Sequence, residues 1–211
     1  MKLQNERECC IFMVYQQKRD QTELLIKESL LDLLKTQEIH TINVSSIAQR
    51  AGVNRVTIYR YFADKWEILE SIEGDVLASL VHPHKALQKG LQENASKEEV
   101  LQALTDFLTV IQRQLDTLQI LTSYQSHLGF SNKLLKFLIE LEKTSHPYIH
   151  QRLAKPAQEL FSYTTVSLFL GVIEYWTQNP TITAEELASF LFDVRVGASR
   201  QLNQKNPASQ D

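Results

Sequence analysis

The sequence predicts an all-α protein with an N-terminal three-helix, helix-turn-helix domain followed by a C-terminal helical bundle. Glycine and proline, which interrupt helices, are scarce, at 6 and 5 of 211 residues. Apolar residues recur three and four positions apart along most of the chain, which is the spacing of one helix face. Near residue 50, two short segments of this kind are joined by a tight turn with a single glycine, as in a helix-turn-helix motif.

The first helix is predicted to begin near residue 20. Its apolar face contains Ile26, Leu30, Leu33 and Leu34. We expect residues 1–19 to form a poorly ordered extension, in which Met13 is an alternative start.

Two short helices with a glycine between them are predicted next. Asn43 can cap the second helix, because its side-chain oxygen can accept from free amides of the first turn. The buried face of that helix contains Val44, Ile47, Ala48 and Ala51. Gly52 supplies the turn, where a positive φ costs a glycine little. Asn54 can cap a third helix, on which Ile58 and Phe62 face inward.

The fourth helix is predicted to start at Asp64, with Glu67 three residues later forming a capping box. Its apolar positions are Leu69, Ile72 and Val76, and the helix is expected to end before Pro83. Two more capping boxes, Ser96 with Glu99 and Thr183 with Glu186, mark later helix starts. Further helices are predicted near 117–128, 132–145, 147–153, 157–178 and 184–201.

The outward side chains of the third helix are suited to DNA. With Ile58 and Phe62 buried, the residues left outside are Arg55, Val56, Thr57, Tyr59 and Arg60. Arginine can donate two hydrogen bonds to guanine, valine and threonine can contact a thymine methyl, and tyrosine can reach a phosphate. No acidic residue occurs between Glu38 and Asp64, although the whole chain carries a net charge of -3. The positive charge is therefore local.

The segment INVSSIAQRAGVNRVTIYRYFADKWEIL resembles the DNA-binding domain of the TetR family of bacterial transcriptional regulators. Ile47, Ala48, Gly52, Thr57, Tyr59, Phe62, Lys65 and Leu69 match positions of the family pattern. The resemblance implies that residues 20–66 form the DNA-binding domain and 67–205 a regulatory and dimerisation domain. By position, it assigns base or phosphate contacts to Ser45 and Ser46 and base contacts to Arg55, Val56 and Thr57. Tyr59, Tyr61 and Lys65 then contact the phosphate backbone; many members of the family have histidine in place of Tyr61.

The last two predicted helices are expected to form a dimer interface. Residues 157–178 are almost uniformly apolar, and such a helix must be buried on most sides. The pair resembles the two C-terminal helices that form the dimerising four-helix bundle in this family, and its GVIEYWTQN ending is similar to a C-terminal type of Gram-positive members. We expect Phe169, Ile173, Trp176 and Phe192 near the seam.

The function implied is a cytoplasmic homodimeric regulator that binds a palindromic operator in double-stranded DNA. The prediction favours a repressor released by a small-molecule effector. One alternative is an activator controlled by a partner protein; another is a helical small-molecule-binding protein that does not bind DNA. Within 97–153, the aromatic and apolar side chains either line an effector site or form plain core: Phe107, Ile111, Tyr124, Phe130 and Phe137.

Other classes of function lack sequence support. The chain has no Gly-rich phosphate loop, GxSxG or HExxH motif, so we predict neither enzyme activity nor a cofactor. His146 and His150 have a spacing that can hold a metal, but Pro147 lies between them and no acidic or cysteine partner is near, so we predict no metal site. No apolar run is long enough to span a membrane. The two cysteines, Cys9 and Cys10, are adjacent and form no disulfide framework.

Overall fold

A computed structural model describes residues 2–90, 95–123, 129–143 and 154–204. Within these ranges the chain forms nine α-helices and no strand, which confirms the all-α prediction. The helices are α1 (Lys2–Leu34), α2 (Val44–Ala51), α3 (Arg55–Tyr59), α4 (Lys65–Gly90), α5 (Lys97–Gln112), α6 (Leu115–Thr122), α7 (Gly129–Lys143), α8 (Lys155–Gln178) and α9 (Ala184–Gln204). None of the helices in the described part is long and apolar enough to cross a membrane.

The chain divides into two compact units. The first unit comprises Met1–Asp75 and Ile120–Leu128, and the second comprises Val76–Gln119 and Gly129–Asp211. The sequence predicted a boundary between residues 66 and 67, in the first turn of α4. The two compact units divide between Asp75 and Val76, further along the same helix, and the boundary of the DNA-binding domain at residue 66 stays a prediction.

The first unit has a continuous apolar core. In it, α1 packs against α2 and α2 against α3. Burial of each large apolar side chain stabilises the fold by about 1.5–3 kcal/mol. The fully or almost fully buried residues are Ile26, Leu30, Leu34, Ile39, Ile42, Ile47, Ile58, Phe62, Ile68, Leu69 and Ile72.

An ion-pair cluster joins α1 to α4 within the first unit. The Lys27 Nζ lies 2.7 Å from a carboxylate oxygen of Glu23 and 2.7 Å from one of Asp75. Burial alone would lower the pKa of Lys27, but its hydrogen bonds to Asp75 and Glu23 outweigh this effect and raise the pKa. The charged form of Lys27 is therefore the stable one in the folded chain.

Two predicted helix ends differ from the structure. The first helix begins at Lys2 and not near residue 20, and no glycine or proline before Leu34 interrupts it. The fourth helix does not end before Pro83 but continues to Gly90. An internal proline removes a hydrogen bond and costs about 3 kcal/mol. Leu80 and Leu87, on either side of Pro83, are both buried, and this burial offsets the cost.

The second unit is built around two helix pairs, α5 with α9 and α7 with α8. Its rings pack in a row: His84 lies 6.1 Å from Phe107, which lies 5.7 Å from Phe169, between ring centroids. Trp176 is fully buried. The Trp176 Nε1–H donates to the Ile182 carbonyl over 2.9 Å, which anchors the turn between α8 and α9.

Local signals in the second unit are mostly confirmed. Both predicted capping boxes form: Ser96 with Glu99 at α5, and Thr183 with Glu186 at α9. The helices predicted at 117–128 and 132–145 are α6 and α7, and α6 ends earlier, at Thr122. The helix predicted at 147–153 lies outside the described residues, as do Tyr124, His146 and His150.

Candidate nucleic-acid interface

The second helix and its turn have the predicted geometry. The Asn43 side chain accepts a hydrogen bond from the Ser46 N–H over 2.9 Å, so Asn43 caps α2. Ile47 and Ala48 face the core. Gly52 follows the helix with φ 66° and ψ 26°, the left-handed conformation that a residue with a Cβ avoids. The Val53 N–H then bonds the Ala48 carbonyl over 3.1 Å, closing the turn.

Four of the five side chains that the sequence predicted to face outward at the third helix are exposed. Asn54 caps it by accepting from the Val56 N–H over 2.9 Å. Ile58 and Phe62 are buried, as predicted. The outward residues are Arg55, Val56, Tyr59 and Arg60, with Val56 61% and Tyr59 47% exposed, whereas Thr57 and Tyr61 are half-buried.

Arg55 and Tyr59 form a pair along the exposed side of α3. The Tyr59 hydroxyl oxygen accepts hydrogen bonds from the Arg55 Nη2 over 2.9 Å and the Arg55 Nε over 3.3 Å. The guanidinium carbon lies 5.4 Å from the centre of the tyrosine ring. Residues four apart on a helix are neighbours, so this contact is local to α3. The sequence analysis placed both residues outward but missed the contact.

The fourth helix begins with a side-chain cap, Asp64. Asp64 accepts from the amides of Trp66 and Glu67, while the Glu67 side chain accepts from the Ala63 amide. The return bond therefore goes to the residue before the cap, not to Asp64 as a standard capping box would require.

Lys65 is engaged by the loop between α1 and α2. Its Nζ donates to the Ile42 carbonyl over 2.6 Å and the His40 carbonyl over 2.9 Å. The neighbouring Trp66 meets the His40 ring edge-on, with centroids 5.2 Å apart. A lysine has three donors, so one remains for the phosphate contact that the resemblance implies. The sequence did not indicate these two hydrogen bonds of Lys65, because their acceptors lie 23 and 25 residues earlier.

The predicted serines differ in availability. Ser45 is exposed in the first turn of α2, whereas Ser46 is half-buried. The Ser46 hydroxyl donates to the Asn43 carbonyl over 2.7 Å. Its proton is therefore used, and the Ser46 amide is already bonded to the Asn43 side chain. Ser45 has the freer side chain of the two.

Arg50 has a structural role. Its guanidinium lies 2.8 Å from an Asp32 carboxylate oxygen, which joins α2 to α1 at the surface. Hydrogen bonds from Lys35 and Arg50 hold the pKa of Asp32 below its ordinary value. Arg55 and Arg60, in contrast, are exposed on α3 or directly after it.

The residues predicted at the dimer seam lie in the second unit, and two of them are already covered. Ile173 is 6% exposed and Trp176 fully buried within the single chain, so neither is available to a partner. Phe169 and Phe192 are half-buried, with Phe169 against Phe107 and Phe192 under the Lys97 ammonium, 5.4 Å from it. The exposed apolar side chains of α8 and α9 are instead Leu160, Tyr163, Leu168, Tyr175, Phe190 and Val194.

The described residues contain no group of three or more His, Cys, Asp or Glu side chains that could hold a metal ion. The exposed surface of α2 and α3 carries guanidinium, hydroxyl, amide and apolar side chains, the amide being that of Gln49. Such a surface recognises phosphates and base edges.

The comparison with known proteins agrees with this geometry. Residues 28–72, which contain α2, α3 and the start of α4, match the family described as bacterial regulatory proteins, tetR family. Over this segment the chain matches the TetR family. The resemblance drawn from the segment between Ile42 and Leu69 is therefore confirmed.

Two curated relatives carry the same type of name. One is the uncharacterized HTH-type transcriptional regulator YxbF of Bacillus subtilis (strain 168), 24% identical over 176 residues, which are 81% of this chain and 43% of YxbF. The other is the HTH-type dhaKLM operon transcriptional activator DhaS of Lactococcus lactis subsp. lactis (strain IL1403), 34% identical over 61 residues, 29% of this chain and 33% of DhaS. The chain thus spans less than half the length of these relatives.

Solved structures share the fold. The dihydroxyacetone kinase operon activator DhaS superposes with a TM-score of 0.59 at 17% identity, over 84% of this chain and 95% of that one. NalD, the secondary repressor of the MexAB-OprM multidrug efflux pump in Pseudomonas aeruginosa, reaches 0.60 at 19% identity, over 84% and 94%. The fatty acid degradation regulator FadR from Bacillus halodurans reaches 0.59 at 20% identity, over 82% and 93%.

Proposed function

We propose that this TetR-family chain is a homodimeric, sequence-specific DNA-binding regulator of transcription, without catalytic activity and located in the cytoplasm. The observation that carries the proposal is the exposed surface of α3 in a helix-turn-helix motif. This surface presents one arginine, one valine and one tyrosine outward over a buried Ile58. A recognition helix in the major groove contacts base edges chiefly through its N-terminal residues.

The first turn of α3 is the part proposed to read bases. Arg55 begins the helix and can donate two hydrogen bonds to a guanine. Val56 is the most exposed apolar residue of α3 and fits a thymine methyl. Thr57 is half-buried and can offer its hydroxyl or methyl group at the edge of the same surface.

The residues around this turn are proposed to contact the DNA backbone. Ser45 is exposed at the N-terminus of α2, where the helix dipole favours a phosphate. Tyr59 at the C-terminal end of α3, Arg60 and Tyr61 directly after it, and Lys65 through its remaining donor are proposed as phosphate contacts. These contacts give affinity and register, but little sequence preference.

A first experiment measures binding to a pool of random DNA duplexes at several salt concentrations, followed by sequencing of the retained duplexes. We expect binding that weakens as salt rises and an inverted repeat among the retained sequences. Arg55→Ala should cost about 1–3 kcal/mol on the selected site and relax one base preference. Lys136→Ala, which removes one exposed charge from α7, is the matched control. It should leave the affinity for the selected site and the base preference unchanged. Failure of the unmodified protein to retain any DNA at low salt would reject the proposal.

The dimer is proposed to form through the exposed apolar face of α8 and α9. On α8, Leu160 is 69%, Leu168 42% and Tyr175 58% exposed, and their spacing follows one side of a helix. Monomeric proteins rarely expose contiguous apolar patches of this kind without a partner. A symmetric dimer would place two recognition helices about 34–36 Å apart, one DNA turn, or somewhat more on a stretched site.

Sedimentation tests the dimer. At micromolar concentration the unmodified chain should run at twice 24.3 kDa. The variant Leu160→Glu with Tyr175→Glu should run as a folded monomer, because two charges would be buried in the interface. Ala86→Glu, at an exposed position of α4, is the control and should remain a dimer. A monomeric unmodified chain would reject both the dimer and the palindromic operator.

Control by a small molecule is proposed to reside in the second unit. Its helices α5 and α7 carry the aromatic side chains Phe107, Phe130 and Phe137, and we propose that such side chains line a site for a largely apolar effector. An inducer must bind the DNA-free form more tightly, and a tenfold loss of operator affinity needs about 1.4 kcal/mol of coupling. The test is a screen for ligands that shift both the melting temperature and the DNA affinity of the protein. A screen that finds no such ligand contradicts the proposal of a small-molecule effector.

The direction of regulation has two candidates. A repressor released by its effector is the primary proposal, and the name of NalD is that of a repressor. DhaS is named an activator, which supports the alternative of an activator controlled by a partner protein. Transcription measured from the selected operator, with and without the protein, distinguishes the two, since a repressor lowers and an activator raises transcript yield.

A further inference from the structure

The contact between Arg55 and Tyr59 has a geometry that matters for base reading. Arg55 is the first residue of α3 and Tyr59 the last. Both are exposed, yet the guanidinium is held at three points: two hydrogen bonds, of 2.9 and 3.3 Å, and the ring face at 5.4 Å. An exposed arginine without such contacts would sample many rotamers.

Tyr59 contacts one edge of the Arg55 guanidinium, the side edge formed by Nε and Nη2. An arginine carries five N–H donors in a rigid fork. Tyr59 takes one from Nε and one from Nη2, so three donors remain, one on Nη2 and two on Nη1. Guanine is read by two parallel hydrogen bonds to its O6 and N7 atoms. The outer edge of the fork, between Nη1 and Nη2, is therefore still complete for a guanine.

The Tyr59 hydroxyl retains a donor of its own. In this contact it acts as an acceptor for both arginine nitrogens, and a phenolic hydroxyl can also donate its proton. That proton is free to bond a phosphate oxygen. A single hydroxyl group can thus contact the DNA backbone and hold the base-reading side chain at the same time.

We propose that Tyr59 is a specificity-determining positioning residue that orients the Arg55 guanidinium for a guanine in the operator. The inference rests on the proposed DNA-binding function and adds to it a role for Tyr59 beyond phosphate contact. The arginine is ordered before DNA arrives, so less conformational freedom is lost on binding the correct base. A base that lacks the O6 and N7 acceptor pair cannot accept two hydrogen bonds from the ordered guanidinium, so its binding is not strengthened to the same extent.

Tyr59→Phe is the test variant, because it removes the hydroxyl and keeps the ring. The experiment measures affinity for the selected operator and for the operator with its Arg55-dependent guanine replaced, in unmodified protein and in the Arg55→Ala, Tyr59→Phe and double variants. A bidentate guanine contact discriminates by about 5- to 150-fold. We expect Tyr59→Phe to lose about three- to tenfold of this discrimination. The double variant should discriminate no worse than Arg55→Ala alone, because both residues act through one contact.

Tyr61→Phe is the matched control, since Tyr61 is proposed to contact phosphate but has no assigned contact with Arg55. It should weaken binding to both duplexes by the same factor. If Tyr59→Phe also weakens both duplexes equally and leaves discrimination within twofold of the unmodified protein, Tyr59 is a phosphate contact only and the inference is overturned. Additive losses in the double variant would overturn it as well. An unmodified protein that prefers no sequence in the random pool rejects the proposed function itself, which is a different result.

Discussion

Replacement of Gly52 and of Gly74 by alanine is predicted to change stability in opposite directions. Both glycines lie in the first unit, and at both an added Cβ would meet no atom within 4 Å. Steric crowding is therefore absent at both positions, and only the backbone differs. Gly52 has φ 66°, whereas Gly74 lies in the helical interior of α4.

The magnitudes follow from that difference. A residue with a Cβ pays about 1–2 kcal/mol in the left-handed conformation. Alanine also has less conformational freedom than glycine in the unfolded chain, which offsets about 0.4–1 kcal/mol of this cost. Gly52→Ala should thus destabilise the protein by about 1 kcal/mol. Gly74→Ala should stabilise it by about 0.5–1 kcal/mol, because alanine is the better helix former. The two variants should differ by about 1.5–2 kcal/mol.

Urea unfolding followed by far-UV circular dichroism measures both effects, at one protein concentration because a dimer gains stability by mass action. The midpoints should move in opposite directions with an unchanged m-value. Gly52→Asn provides a further check: asparagine tolerates the left-handed conformation better than alanine, so it should cost less. If both alanine variants shift the midpoint in the same direction, the backbone explanation of this turn is refuted.

Three further perturbations follow from named contacts. Lys65→Met removes two hydrogen bonds to loop carbonyls and should lower the free energy of unfolding, measured in urea, by about 2–3 kcal/mol. An unchanged free energy of unfolding would show that these two hydrogen bonds do not stabilise the fold. The pKa of Asp32 is lowered in the folded chain, so its ion pairs stabilise the protein above the unfolded pKa of about 3.9 and are lost as pH falls through the folded pKa. Asp32→Asn should accordingly reduce the loss of melting temperature on acidification, whereas an identical acid profile would contradict this. Ser96→Ala should cost about 1 kcal/mol by thermal unfolding, since it removes the α5 cap.

The sequence alone determined the features that depend on neighbouring residues. The caps at Asn43, Asn54 and Ser96 were predicted and form as hydrogen bonds within three residues. The left-handed Gly52 was predicted for the same reason, because a cap or a turn is built from a few consecutive residues. The inward and outward sides of α3 followed from helical spacing, except at Thr57, which is half-buried.

The tertiary structure decided which apolar side chains remain exposed and how far the helices extend. The apolar excess of α8 predicted burial but not its division between the chain's own core, which takes Ile173 and Trp176, and the outer face with Leu160 and Tyr175. The continuation of α4 past Pro83 likewise depends on burial of residues further along the helix. The contacts of Lys65 with His40 and Ile42 and of Arg50 with Asp32 join residues 18 to 25 positions apart. Spacing along one helix cannot indicate such pairs, because only the packing of one helix against another brings their atoms within hydrogen-bonding distance.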